Sequence, residues 1–242
     1  MSERLQKYLA NKGLGSRREI EKWITEGRIS VDGEVAELGC KVDGSENIQV
    51  DGRLIRQPKR ETKPRTIIYH KPPGEICTRT DPQGRKTVYH SLPKVLNARW
   101  VSVGRLDFNT SGLLLLTTDG ELANQLMHPS SELQREYAVR AFGELSDEQL
   151  TALKTGVELD DGKAKFDAVD FTEGKGANRS YVVVVSEGRN RIIRRMFEAM
   201  DCRVNRLMRV RYGPISLPRD VRPGKYRELT DKEMSRLRAA VA

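Results

Sequence analysis

The segment Gly104-Arg105-Leu106-Asp107-Phe108-Asn109-Thr110-Ser111-Gly112 holds a cation, a carboxylate and two hydroxyls between two glycines, directly ahead of the apolar run Leu113-Leu114-Leu115-Leu116. A lone aspartate in a loop is most simply a turn or cap residue. This loop leads into a buried-strand candidate, which would pin Asp107 at the edge of a core, where a fixed carboxylate can serve as nucleophile or base. A second segment, Gln134-Arg135-Glu136-Tyr137-Ala138-Val139, reads as a strand. Its Tyr137 is either a core aromatic or a ring on which a nucleobase stacks, a contact worth ~1–3 kcal/mol. A third segment runs from Glu187-Gly188-Arg189-Asn190-Arg191 into Ile192-Ile193-Arg194-Arg195-Met196. Between Gly188 and Arg211 stand eight arginines (189, 191, 194, 195, 203, 206, 209 and 211), no lysine, and only Glu198 and Asp201 as acids. The planar fork of arginine suits bidentate contact with phosphate or carboxylate, so this region reads as a nucleic-acid surface.

Other chemistries find no support. The chain has no P-loop, no G-x-G-x-x-G and no H-E-x-x-H. Its histidines, His70, His90 and His128, show no metal-ligand spacing, and Cys40, Cys77 and Cys202 lie far apart. Neither a metal site nor a disulfide framework is expected, and a reducing cytoplasm fits. A net charge of +9 favours a polyanionic partner. The opening Met-Ser-Glu-Arg-Leu-Gln-Lys lacks the apolar core of a signal peptide. Apolar runs are strand-sized, far short of the ~20 residues that span a bilayer, so a soluble protein with no membrane partner is expected. These readings together favour a cofactor-free RNA enzyme.

The elements that must position these residues suit two domains over 242 residues. Leu5, Tyr8 and Leu9 recur at helical spacing until Gly13-Leu14-Gly15. Ser16 three residues before Glu19 is a capping-box spacing that starts a second helix with the stripe Ile20, Trp23, Ile24. Ile29 and Val31 alternate as a strand, and Asp32-Gly33 is a hairpin signal. Arg17 and Arg18 oppose the second helix's macrodipole, as tolerated surface charges or as ligands for a phosphate. The polar stretch Arg56–Thr66, with two prolines, reads as a linker, and no internal repeat is visible. The remainder alternates irregularly: strands at Thr66–His70, Leu113–Thr118, Tyr137–Ala141 and Ser180–Val185, and helices at Glu121–Met127, Arg191–Met200 and Asp231–Val241. That order predicts an α+β domain on a mixed, largely antiparallel sheet.

At these three segments the sequence resembles the RsuA/RluB branch of the pseudouridine synthases, over nearly the whole chain. Residues 1 to about 60 resemble the alpha-L RNA-binding domain of ribosomal small-subunit protein S-four. Tyr69-His70-Lys71-Pro72-Pro73-Gly74 resembles the first family motif, Gly104–Gly112 the catalytic motif, and Arg135-Glu136-Tyr137 and Arg191–Met196 the later ones. Cys77–Arg85, Met127-His128-Pro129-Ser130 and the absence of His-Gln at Arg191-Ile192 are similar to the RluB subgroup. The resemblance implies an alpha-L RNA-binding domain at 1–58, a basic linker at 59–65 and a catalytic domain at 66–242.

It also implies isomerisation of uridine to pseudouridine in 23S ribosomal RNA, free or in an assembling large subunit, with no cofactor. Two other targets remain open, 16S ribosomal RNA and a tRNA stem-loop, as does a non-catalytic role in ribosome assembly. A cytoplasmic monomer is expected. Asp107 matches the essential aspartate. Tyr137 is expected to stack on uracil, and Arg194 to pair with Asp107, since an opposite charge within about 4–6 Å favours the charged form. Arg105 is expected to fill the gap left by the flipped base, with Arg17, Arg18, Lys71, Arg191 and Arg195 as further RNA contacts; Lys71 and Pro72 are read above all as shaping the site.

Overall fold

The computed structural model describes residues 2–55 and 63–242. The expected linker falls largely on residues 56–62, outside the described residues. Two compact units result: Met1–Arg65 with Pro93–Val101 and Thr117–Gly120, and Thr66–Leu92 with Ser102–Leu116 and Glu121–Ala242. The second unit is thus interrupted along the chain at 93–101 and 117–120.

In the first unit, helices Leu5–Asn11 and Arg17–Thr25 pack Leu5, Leu9, Ile20 and Ile24 against Ile29, Val42 and Ile48 of short strands. The Ser16–Glu19 capping box is closed from both sides, satisfying amide groups that the helix start would otherwise orphan. The strands Ile29–Val31, Glu34–Val35, Ile48–Val50 and Arg53–Leu54 form an antiparallel sheet. Arg65 lies over the Trp100 ring.

The second unit is built on a long mixed sheet. Its strand order is Ala168–Lys175, Asn178–Val185, Arg135–Phe142, Arg203–Tyr212, Ser111–Thr117, Thr66–Lys71 and Tyr226–Glu228. Pairing is antiparallel through the first four strands and at the last pair, and parallel between Arg203–Tyr212 and Ser111–Thr117. Helices Asp147–Thr155 and Ile192–Glu198 cover one face, enclosing Val139, Tyr181, Val183, Phe166, Phe197 and Leu207. The helix expected at Arg191–Met200 begins one residue later, because Arg191 adopts a left-handed φ of 48° and caps the helix. Among the described residues, no helix is long and apolar enough to cross a membrane, and no cluster of three metal-ligating side chains occurs.

Candidate active site

Local geometry explains the glycines that bracket the Asp107 loop. Gly104 has φ +74°, a left-handed turn that glycine enters without steric cost. Gly112 has φ +106°, and a Cβ there would lie 2.2 Å from the Arg209 carbonyl oxygen of the neighbouring parallel strand. Between them Thr110 donates its N–H to the Asp107 carbonyl (3.0 Å), closing a tight turn. The first motif holds this turn from below. The Lys71 ammonium donates to the carbonyls of Thr110 (2.8 Å), Asp107 (3.1 Å) and Phe108 (3.4 Å), and to that of Pro72 (3.0 Å). Gly74 adds its N–H to the Phe108 carbonyl (2.8 Å). On the other side Leu106 donates to the Cys77 sulfur (3.4 Å).

The loop faces a cleft of about 820 Å³ whose walls include Asp107, Arg105, Tyr137, Arg191, Arg209 and Ile192. Asp107 is half-buried, and its carboxylate makes no hydrogen bond or ion pair among the described residues. Tyr137, half-buried in the strand Arg135–Phe142, sits beside a bulge in the pairing with Arg203–Tyr212. Arg105 and Arg191 are exposed. Four of the sequence-derived site residues therefore meet in one place.

The others sit elsewhere. Lys71, expected among the RNA contacts, holds the loop instead, since its 0% exposure leaves no surface for RNA. Burial pulls the Lys71 ammonium below the usual lysine range, opposed by the charges of Cys77, Glu75 and Asp107. Arg195 does not reach the cleft; its guanidinium forks onto Asp161 at 2.8 and 2.9 Å. Arg194 is buried behind the cleft wall. The expected Arg194–Asp107 ion pair is not closed, because the Arg194 guanidinium donates to the Val204 (2.7 Å) and Asn109 (3.4 Å) carbonyls. Its Nε has no partner among the described residues. Burial, then the charge of Arg191, lowers the Arg194 pKa, and Asp107 counters that shift. Arg17 and Arg18 are exposed in the first unit.

The uniform arginine surface read from the sequence also needs correction. Arg189 is bound to Glu187 and Asp161, Arg211 to Glu136, and Arg209 is buried with Nε on the Leu113 carbonyl at 2.7 Å. Arg209 and Arg135 both lie over the Tyr212 ring, and Tyr212 donates its hydroxyl to the Leu126 carbonyl at 2.7 Å. Tyr212 is a cleft residue absent from the sequence reading, and Arg135, Arg209 and Cys77 stand in that reading only within longer segments, with no role in the site. Burial pushes the Cys77 thiol up, opposed by the Leu106 N–H and by Lys71, Arg209 and Arg105.

A cleft with a carboxylate, a half-buried phenol and free guanidiniums is suited to gripping a nucleotide and presenting an acid–base or nucleophilic oxygen to it. Comparison with known proteins agrees. Residues 65–199 match the RNA pseudouridylate synthase family and residues 3–48 match the S4 domain. The chain is 53% identical over 244 residues to Ribosomal large subunit pseudouridine synthase B of Escherichia coli (strain K12), covering 100% of this chain and 84% of that protein. It is 51% identical over 243 residues to the protein of the same description from Vibrio vulnificus (strain CMCP6), covering 100% and 76%. A solved structure described as a pseudouridylate synthase superposes with a TM-score of 0.67 at 27% identity, covering 97% of this chain and 99% of the other. The chain therefore belongs to the RNA pseudouridine synthase family, a family of isomerases.

Proposed function

We propose that this chain converts a specific uridine of large-subunit (23S) ribosomal RNA to pseudouridine, working in the cytoplasm on free RNA or an assembling particle. In this reaction the N-glycosidic bond breaks, the uracil turns, a bond forms from the ribose to carbon 5, and carbon 5 gives up its proton while N1 takes one up. Atoms balance without an external acceptor, so no cofactor is required. One observation carries the reading: the unpaired Asp107 carboxylate shares a single cleft with Tyr137 and Arg105. Asp107 acts on the ribose as nucleophile or base. Tyr137 stacks on the uracil, and Arg105 fills the space the base vacates. The target base must leave its stack to enter such a cleft. Arg194 supports Asp107 electrostatically from behind the wall rather than by direct contact. The protein acts as a monomer. The N-terminal S4 domain, with Arg17 and Arg18 exposed, docks the RNA.

The large-subunit target is supported by the descriptions of the relatives. The test is to map pseudouridines by reverse-transcription stops in cells with and without the gene. Loss of a pseudouridine from large-subunit RNA, restored by the wild-type gene, is expected. An unchanged large-subunit pattern, or a loss confined to small-subunit RNA or tRNA, overturns the proposal.

A further inference from the structure

The sheet that carries Tyr137 has two unlike faces. Val139, Ala141, Val183, Val204 and Leu207 turn into the core. Strand alternation sends Ala138, Arg140 and Phe142 the other way. The register sets two rows across three strands on that side: Arg206, Arg140 and Ser180, then Arg203, Phe142 and Asn178. Arg140, Arg203 and Arg206 are exposed, Phe142 is 55% exposed, and Ala138, Val182 and Met208 beside them are only half-buried.

This arrangement carries a cost that the protein itself does not offset. Like charges directly opposite one another destabilise a strand pair, and Arg140 faces Arg206. None of the three arginines makes an ion pair or side-chain hydrogen bond among the described residues. The acids of this face are placed or occupied elsewhere. Glu136 is held by Arg211 at 3.0 Å and Glu144 by Arg179 at 2.6 Å. Asp170 and Glu173 lie one strand further out, opposite Val182 and Ser180. An exposed ring set among unpaired guanidiniums and an amide, on a half-apolar sheet, combines the two features that hold single-stranded RNA: a stacking platform and a track for phosphates.

We infer that this face is a second RNA-binding surface, separate from the cleft, taking an unpaired stretch of the substrate RNA with its phosphates on Arg140, Arg203 and Arg206 and one base stacked on Phe142. The inference rests on RNA being the substrate class, and its test reads binding without turnover. Transcribed large-subunit ribosomal RNA and a short single-stranded oligouridylate serve as probes for the full chain, its triple variant R140A/R203A/R206A, and Phe142→Ala. The triple variant should bind both probes at least about tenfold more weakly, and its log–log salt slope should fall by about 2. Phe142→Ala should weaken binding roughly five- to tenfold while leaving the slope intact. Unchanged melting temperatures establish that both variants fold. Unaltered affinity and slope in the triple variant overturn the inference. So does unaltered RNA binding combined with lost binding to an assembling particle, which assigns the face to a protein partner. A wild-type chain that binds RNA through this face yet forms no pseudouridine sinks the proposed reaction and leaves the second surface standing.

Discussion

Replacing Lys71 by methionine keeps an unbranched side chain, one atom shorter, and removes its charge and donors. In the structure the ammonium donates to four carbonyls, three of them at 3.1 Å or less, and two of those three belong to the Asp107–Thr110 turn. A hydrogen bond to a charged group contributes roughly 1.5–3 kcal/mol net, and three on one ammonium do not add in full, so about 5–9 kcal/mol is an upper bound. Burying the ammonium, which is 0% exposed, costs several kcal/mol in the opposite direction. The net loss on Lys71→Met is therefore about 2–4 kcal/mol, which for a chain of this size lowers Tm by roughly 5–15 °C. Activity should fall further than stability, because displacing a catalytic group by about 1 Å can cost ~100-fold in rate. Thermal melting and single-turnover conversion of ribosomal RNA, both at a temperature where the variant is folded, measure the two effects. A Lys71→Met protein that melts with the wild type and reacts at its rate refutes the view that this residue holds the loop.

Other changes probe other parts of the account. Gly112→Ala forces a Cβ to 2.2 Å from the Arg209 carbonyl oxygen at a φ of +106°; it should cost at least about 3 kcal/mol by denaturant unfolding, and a near-neutral result would show that the two strands part easily. The paired guanidinium of Arg227, at 2.7 Å from each Glu233 oxygen, holds the Glu233 carboxyl down at about 2 against an ordinary 4.5. Its stabilisation is present above pH 4.5 and lost as pH falls towards 2, so Glu233→Gln should flatten the acid side of the stability profile; a parallel profile would contradict the pairing. Replacing both Arg17 and Arg18 by alanine should weaken RNA binding and reduce its salt slope by about 1–2, with the turnover of bound RNA unchanged; equal slopes would remove them from the docking surface.

Much of the positioning scaffold is written in local sequence. The Ser16–Glu19 box, the alternation around Tyr137 and the two glycines around Asp107 each have a near-neighbour signature, and each corresponds to an observed feature. A similar box at Ser146 and Gln149 starts the helix Asp147–Thr155 and has the same local signature. What escaped the sequence is set by contacts distant along the chain. The strand Arg203–Tyr212 hid behind its arginines, since Arg209 is buried against Leu113 and Tyr212 rather than solvated. Lys71 looks like any surface lysine until Thr110, 39 residues away, is seen to accept from it. Arg194 and Arg195 are adjacent in sequence, yet one is committed to buried carbonyls and the other to Asp161, a division that helix geometry fixes and residue type does not.

The central claim is that the Asp107 carboxylate performs the chemistry within this cleft. Asp107→Asn preserves the size of the side chain, and no described ion pair or hydrogen bond of that carboxylate is lost. The variant should therefore melt with the wild type and bind ribosomal RNA with similar affinity. It should form no pseudouridine above background when the RNA is assayed by release of tritium from carbon 5 of uridine. A folded Asp107→Asn protein that releases tritium at a rate near that of the wild type would contradict the assignment of Asp107 as the catalyst.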